Sequence, residues 1–135
     1  MTQEQKDLLL KDLCSRLPYG VIIEHCLGII GTLHDLFVHW FYDKNDNIYN
    51  REACTSTFFG DVNCDIDKFK PYLFPMSSMT DEQKEEHKDL LDNQYSFDAN
   101  GNIFTLQDFY CKYHLDYRGL IPLGLAKDAT GLNIY

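Results

Sequence analysis

The sequence predicts an α+β fold: an N-terminal helix, then a small, strongly curved antiparallel sheet or SH3-like barrel, then two to three C-terminal helices. Three observations support this prediction. The chain has 135 residues, of which 44% are hydrophobic and 14% aromatic, a composition typical of one domain with a dense core. Apolar residues recur at helical spacing near both ends of the chain. Between the two ends, β-branched and aromatic residues favour short strands. We therefore expect a single domain over 1–135, with helix at 1–18, mainly strands at 19–75 and mainly helix at 76–135.

The first helix is predicted by a capping signal and an apolar stripe. Thr2 and Gln5 have the spacing of a capping box, in which each side chain bonds the other residue's backbone amide. Pro18-Tyr19-Gly20 should end the helix, because proline cannot donate the backbone hydrogen bond that a helix interior needs. One helical face carries Leu9, Leu10, Leu13, Cys14 and Leu17.

Three stretches of the next part have strand composition. Residues 20–43 are rich in Val, Ile, Phe and Tyr, and 54–63 resemble them. Residues 68–75 should be extended, because Pro71 and Pro75 each disfavour helix at the preceding residue. Several short strands in so few residues predict a curved sheet or a small barrel.

The C-terminal half shows two further capping boxes. Thr80 and Gln83 predict a mostly polar helix that reaches Asp92. The apolar side chains that could pack this helix against the rest of the protein are only those of Leu90, Leu91 and Met79. Thr105 predicts another helix that ends at Gly119. Its apolar stripe should seal the core against the sheet and comprises Leu106, Phe109, Tyr110, Tyr113 and Tyr117.

Two shorter features complete this half. The dipeptide Asn100-Gly101 predicts a turn over 97–102, because both residues tolerate the backbone of tight turns. Residues 120–126 are apolar, and Pro122 favours a short helix with proline in its first turn.

The charge of the chain excludes two classes of partner. Twelve Lys and Arg stand against 21 Asp and Glu, a net charge of −9. Such a chain should bind neither nucleic acid through phosphate contacts nor an anionic membrane surface. Six acids and two bases occupy each of 43–67 and 80–92. These acidic stretches are typical of solvated faces, and the alternative is a surface that mimics a phosphate backbone.

The cysteine pattern and the chain start point to the cytoplasm. Five cysteines form an odd set without a C-x-x-C pair, so we expect reduced thiols and no metal. Acidic residues flank the first leucine cluster, which is unlike a signal peptide, and no apolar stretch is long enough for a transmembrane helix.

One helix end carries the residues most suited to catalysis or metal binding. Cys111 and His114 are one turn apart and could share a zinc ion, but no second local pair completes the site. With Asp116 they offer a nucleophile, a base and an orienting acid, although groups this close on one helix end rarely converge. We therefore predict no catalytic residues, no metal and no cofactor.

Three motifs carry a resemblance to a known family. They are Leu17-Pro-Tyr-Gly-Val21, Lys70-Pro-Tyr-Leu-Phe-Pro-Met-Ser-Ser-Met-Thr80 and His114-Leu-Asp-Tyr-Arg-Gly-Leu-Ile-Pro-Leu-Gly-Leu-Ala126. The chain resembles an uncharacterised family of small proteins from gut Bacteroidales and their phages or prophages. The resemblance implies a bacterial or phage cytoplasmic setting and no particular reaction, and it leaves 24–67 without a role.

The motifs give two interpretations of their aromatic and basic residues. Tyr72, Tyr117 and Arg118 could line one groove that recognises a partner, since Tyr and Arg dominate binding hot spots. Alternatively they join elements of the fold, with Arg118 on the helix end or paired with Asp116. We expect a non-enzymatic protein-binding accessory module of bacterial or phage origin, for which counter-defence is one candidate role. The alternatives are a small enzyme or small-molecule sensor with a Cys/His/Tyr/Arg site, and a structural phage component.

Overall fold

The computed structural model describes the backbone of residues 1–42, 45, 48–57 and 60–135, and the side chains of 1–36, 45 and 66–135. The chain is α+β, as its sequence predicts. In chain order its elements are α1 (Gln3–Arg16), β1 (Ile22–His25), β2 (Ile30–Tyr42), β3 (Ile48–Thr57), β4 (Gly60–Asp65), β5 (Phe69–Leu73), α2 (Asp81–Asn93), β6 (Tyr95–Phe97), β7 (Ile103–Thr105), α3 (Leu106–Lys112) and β8 (Lys127–Asp128).

Helix α1 begins and ends where the sequence predicts. The Thr2 hydroxyl accepts the Gln5 amide at 3.2 Å, and the Gln5 side chain accepts the Thr2 amide at 3.0 Å. After Arg16 the chain passes through a single 3₁₀ turn at Leu17–Tyr19. Gly20 then adopts a left-handed conformation with φ of 66°, which is readily available to glycine and directs the chain into β1.

Six of the strands form an open sheet in the order β4-β3-β2-β1-β5-β8, while β6 and β7 pair in a separate hairpin, so the barrel alternative is not the one realised. The pairs are antiparallel except β5 with β8, where Tyr72 lies opposite Lys127 in a parallel arrangement. Strands β2 and β3 form the longest ladder, from Leu33 opposite Thr57 to Tyr42 opposite Ile48. The return of the C-terminal segment to β5 brings the end of the chain beside its first strand.

One face of the sheet packs against α1 to form the main cluster. Leu9 and Leu13 of α1 are fully buried, as are Ile23 of β1 and Phe69 of β5. Alternation along β1 explains this, because Ile23 and His25 are buried while Ile22 and Glu24 are half-buried. The buried members of the main cluster are Leu9, Leu13, Val21, Ile23, Leu33, Ile66, Phe69, Leu73, Leu120, Leu125 and Ala126.

A second, aromatic cluster lies between α2, α3 and the segment after β5. Its buried members are Leu90, Phe109 and Leu115, with Phe74, Met76, Met79, Phe104, Leu106, Tyr110 and Tyr113 packed around them. The predicted stripe of α3 is therefore buried in part, and Phe109 has no exposed surface. Our expectation that this stripe faces the sheet is wrong, because α2 and the chain after β5 cover it.

The end of α3 also differs from the prediction. The helix stops at Lys112 rather than near Gly119, because His114 takes a left-handed conformation with φ of 54°. Tyr117 is thus outside the helix, yet its ring still stacks on Tyr110 with centroids 4.7 Å apart. Tertiary contact, and not helical periodicity, brings these two rings together.

Residues 120–126 form turns, not the predicted short helix. The Asp116 carboxylate accepts the backbone amides of Leu120 at 2.7 Å and Ile121 at 2.8 Å, which fixes the first turn. The Leu125 amide then returns to the Leu120 carbonyl at 2.9 Å. Gly124 has a φ of 73°, which lies outside helical geometry and ends the segment before β8.

Within the described residues, no helix combines the length and the apolar character needed to cross a membrane.

Candidate functional site

Tyr117 and Arg118 lie beside a buried ion pair at the base of α1. Arg16 and Asp12 have no exposed surface, and the Arg16 Nε donates to the Asp12 carboxylate at 2.6 Å. A second Arg16 nitrogen, Nη2, donates to the Leu115 carbonyl at 2.7 Å. The pair therefore links α1 to the chain that follows α3.

The second arginine completes this group. Arg118 Nε lies 3.3 Å from the other Asp12 oxygen, so one carboxylate faces two guanidinium groups. The two guanidinium carbons lie 4.7 Å (Arg118) and 5.4 Å (Arg16) from the centre of the Tyr117 ring. Arg118 pairs with Asp12, and not with Asp116 as one interpretation of the sequence proposed, since the Asp116 oxygens accept backbone amides. We name this group, formed by Asp12, Arg16, Tyr117 and Arg118, the arginine joint.

Tyr72 belongs to a different group of contacts. Its hydroxyl donates to Glu24, whose other oxygen accepts Lys127 Nζ at 2.6 Å. The hydrogen bond from Lys127, then that from Tyr72, holds the pKa of Glu24 below its ordinary value. The Tyr72 carbonyl accepts the Tyr135 hydroxyl at 2.7 Å. The structure thus places Tyr117 with Arg118 and gives Tyr72 other partners, and a binding role for the three residues stays a prediction.

The structure buries or pairs the three residues that the sequence offered for catalysis or metal binding, Cys111, His114 and Asp116. Cys111 has no exposed surface, and burial raises the pKa of its thiol. The Asp116 carboxylate is occupied by two backbone amides, and the His114 ring stacks on Tyr135 with centroids 3.6 Å apart. In the described part of the chain, no three His, Cys, Asp or Glu side chains form a group that could hold a metal.

The structure describes the side chains of three of the five cysteines. Cys14, Cys26 and Cys111 are free thiols. The side chains of Cys54 and Cys64 lie outside the described residues, so the expectation for all five remains a prediction.

The hairpin β6–β7 presents an apolar face to solvent. Phe97 lies opposite Ile103, and both are on the same face as Tyr95, because alternate strand residues point the same way. The exposed fractions are 51% for Tyr95, 65% for Phe97 and 64% for Ile103. The rings of Tyr95 and Phe97 meet edge to face with centroids 5.8 Å apart. We name Tyr95, Phe97 and Ile103 the hairpin face.

The opposite side of the hairpin and its turn hold this face in place. Phe104 packs into the aromatic cluster, and the Lys112 ammonium lies 5.6 Å from the centre of its ring. In the turn, one Asp98 oxygen accepts the amides of Asn100 and Asn102, each at 2.9 Å. The sequence-predicted turn at 97–102 is therefore confirmed, and it joins two strands that the sequence analysis did not predict.

Acidic groups lie close to the hairpin face, since Glu86 and Asp98 line one pocket together with Phe97. Helix α2 leads directly into β6, and all of it except its last residue lies within the stretch 80–92, which has a net charge of −4. Hydrogen bonds from Asn102 and Asn100 lower the pKa of Asp98 at the hairpin tip, which keeps it ionised. Leu91, in the last turn of α2, adds another apolar side chain that is 56% exposed. The region combines exposed apolar surface with negative charge.

Comparison with known proteins adds no homologue to this description. The chain matches no protein-family model, no curated protein and no solved structure.

The signal for the hairpin face was present in the sequence. Tyr95-Ser96-Phe97 alternates apolar and polar residues, and the Asn-Gly turn follows at once. Three-residue strands are shorter than the usual range, so the alternation alone is a weak signal. The Glu24–Lys127 pair and the contact of the Tyr135 hydroxyl with the Tyr72 carbonyl join residues that are far apart in the chain, and no local pattern encodes them.

Proposed function

We propose that the protein is a non-enzymatic protein-binding accessory module of bacterial or phage origin, and that the hairpin face is its binding surface. Support comes above all from the exposure of Tyr95, Phe97 and Ile103 on one face. Neighbouring aromatic and aliphatic side chains in water are typical of protein interfaces, where Tyr and Phe are enriched. The three resembling motifs support the origin, and with it a cytoplasmic counter-defence role.

The charge around the hairpin face defines the partner. The acids of α2 and the ionised Asp98 would repel an acidic surface. They would attract lysines and arginines, which raises the rate of encounter and selects among partners. We therefore propose a partner protein whose contact segment carries basic residues around an apolar anchor.

The small size of the hairpin face shows why binding needs both apolar burial and charge complementarity. Full burial of a side chain such as Phe or Ile contributes about 1.5–3 kcal/mol. The three side chains of the hairpin face are already part-buried in the free protein. Their combined contribution to binding is therefore less than three times this free energy. Association costs roughly 4–15 kcal/mol in lost translational and rotational freedom. Apolar burial and charge complementarity must therefore act together in a specific complex.

The test compares one partner with two versions of the protein. The wild-type protein captures its partner from a Bacteroidales lysate, and the purified partner is then titrated against Phe97→Thr/Ile103→Thr. Threonine keeps the β-branched preference for strands and removes apolar area. We expect the dissociation constant to rise about tenfold or more, the change that loss of a hot spot produces. Added salt should weaken the wild-type complex as well.

A matched control separates this face from other exposed apolar residues. Leu123 is 49% exposed and lies outside the hairpin, so Leu123→Thr should leave the affinity unchanged. Equal affinity of the hairpin variant and the wild type would contradict the proposal. So would sedimentation data that show a wild-type dimer and a monomeric hairpin variant, because the face would then bind a second copy of this chain.

A further inference from the structure

A cavity separate from the hairpin face lies beside the aromatic cluster. Its volume is about 510 Å³, within the range of about 300–1,000 Å³ that is typical of small-molecule sites. Four rings contribute to its wall, those of Phe74, Tyr113, His114 and Tyr135. We name it the Tyr135 cavity. Its composition, apolar rings with a few polar groups, is that of a site for a planar molecule.

The wall of the Tyr135 cavity is held by backbone contacts. Phe74 forms a parallel bridge with Leu115: the Phe74 amide donates to the His114 carbonyl at 2.8 Å, and the Asp116 amide donates to the Phe74 carbonyl at 2.8 Å. The Tyr135 ring packs against Phe74 with centroids 5.8 Å apart. A site framed in this way is formed before any ligand arrives, which reduces the cost of binding.

His114 is held in the wall at an energetic cost. Its φ of 54° is unfavourable for a residue with a side chain, and its Nδ1 atom is buried without a hydrogen-bond partner. Stacking on Tyr135 is the contact that orients the imidazole. Burial, aided by the nearby Arg16 guanidinium, lowers its pKa to about 4, so the ring is uncharged at neutral pH. Strain and an unpaired polar atom cluster at functional positions, which favours a ligand here.

Polar groups at the rim have free donors. Gln83 uses its carbonyl oxygen to accept the Thr80 amide at 3.0 Å, which leaves its NH₂ group to donate. The Thr80 hydroxyl accepts the Gln83 amide at 3.2 Å and retains its own proton. Lys112, whose ammonium lies 4.9 Å from the centre of the Tyr113 ring, adds a positive charge to the lining. These donors fit a ligand that carries a carboxylate.

We propose that the Tyr135 cavity binds a small planar aromatic carboxylate. The ring of the ligand lies against Tyr135 and Tyr113, and its carboxylate faces Lys112, Thr80 and Gln83. This site is independent of the hairpin face, so the failure of one proposal does not affect the other.

The experiment uses 2-naphthoate as the probe and follows the backbone amides of the full chain by NMR. We expect saturable shifts at Thr80, Gln83, Leu115 and Gly131, with a dissociation constant near or below about 1 mM, which is appropriate for a ligand of this size. Neutral 2-naphthylmethanol should bind about fivefold more weakly, the difference expected for one partly exposed ion pair.

Two variants divide the ring contribution from the charge contribution. Lys112 is exposed, so Lys112→Gln should fold normally and remove the preference for the carboxylate while leaving the alcohol unaffected. His114→Asn removes the ring but keeps a residue that tolerates the left-handed backbone, and it should weaken both probes. Phe97→Thr is the control, since it changes only the hairpin face.

Three results would overturn the proposal. They are shifts that do not saturate, shifts confined to residues 95–105, and equal binding of acid and alcohol to the wild type.

Discussion

The main cluster and the aromatic cluster bury apolar surface in different ways. The main cluster has eleven buried residues among the described side chains, and a sheet and a helix enclose it. The aromatic cluster has three, and its other members are part-buried rings and methionines at its edge. The tyrosine hydroxyls at that edge have polar partners: Tyr110 bonds His87 at 2.9 Å and Tyr113 donates to Glu86 at 2.8 Å. The stability of the main cluster thus depends on many buried side chains, and that of the aromatic cluster depends on few.

This difference explains where the molecule can carry function. A region with few buried residues exposes its neighbouring apolar surface, as the hairpin face and the Tyr135 cavity both do. Regions of low contact density also open most readily. The arginine joint connects the two clusters, because Arg16 of α1 binds the Leu115 carbonyl beside the aromatic cluster. Substitutions in each region therefore test how far the two clusters are independent.

The largest effect should come from the arginine joint. Asp12→Ala leaves the fully buried Arg16 without its carboxylate, which should cost about 3–5 kcal/mol in the free energy of unfolding. Chemical denaturation followed by circular dichroism measures this change. Asp7→Ala removes an exposed acid from the same helix and should change the stability by less than about 0.5 kcal/mol.

A double variant tests the cause. Asp12→Ala/Arg16→Leu removes both buried charges and should recover part of the loss, since an uncompensated charge is worse than none. If the double variant is no more stable than Asp12→Ala, the cost arises from packing and not from the unpaired guanidinium.

The second effect separates a buried phenylalanine from an exposed one. Phe109 is the centre of the aromatic cluster and contacts the rings of His87, Tyr110 and Tyr113. Phe109→Ala should cost about 3–5 kcal/mol through lost burial and the cavity it leaves. Phe97→Ala, by contrast, should cost less than about 0.5 kcal/mol, because that ring is 65% exposed. Thermal melts of the two variants give the comparison, and similar melting temperatures would contradict it.

A third effect is the pH dependence that His114 contributes. Its pKa of about 4 in the folded protein lies below the ordinary value of 6.5, so the folded state binds fewer protons than the unfolded state as the pH falls. The stability that the uncharged ring contributes is present above pH 6.5 and should be lost as the pH falls toward the folded pKa, with a slope that stays below the limit of about 1.4 kcal/mol per pH unit because the ring is partly screened by solvent. Urea unfolding at a series of pH values measures the slope. His114→Asn should flatten it, and an unchanged slope in this variant would assign it to other groups.

Local signals of the sequence predict the starts of the three helices correctly, and long-range contacts account for the error at the end of α3. The capping boxes at Thr2, Thr80 and Thr105 all form, because each needs only residues three apart. The predicted end of α3 near Gly119 is wrong, because the bridge to Phe74, which is far away in sequence, holds His114 in a left-handed conformation. Periodicity identified Phe109 as buried, but it could not show that α2 would be the covering element.

The same distinction applies to the sites. Tyr117 and Arg118 are adjacent in sequence, and their contact could be predicted from that fact. Asp12, which pairs with Arg118, lies more than 100 residues earlier in the chain, and no rule based on local spacing predicts a contact over that separation. The hairpin face depends on which elements remain uncovered, and this is a property of the folded chain and not of any segment.

The smallest effect on global stability should come from the turn of the hairpin. Asp98 holds the turn through the amides of Asn100 and Asn102 and the side chain of Asn102, so Asp98→Ala removes the contacts that close it. Because the hairpin contributes to the aromatic cluster through the part-buried Phe104 at its edge, the melting temperature should hardly change, while hydrogen exchange of the amides in 95–105 should become faster. Asp92→Ala removes an equal charge from the end of α2 and should leave this exchange unchanged. Faster exchange across the whole chain in Asp98→Ala would show that the hairpin unfolds only together with the aromatic cluster. In that case the hairpin face is a rigid extension of the aromatic cluster, and the hairpin and this cluster do not unfold independently.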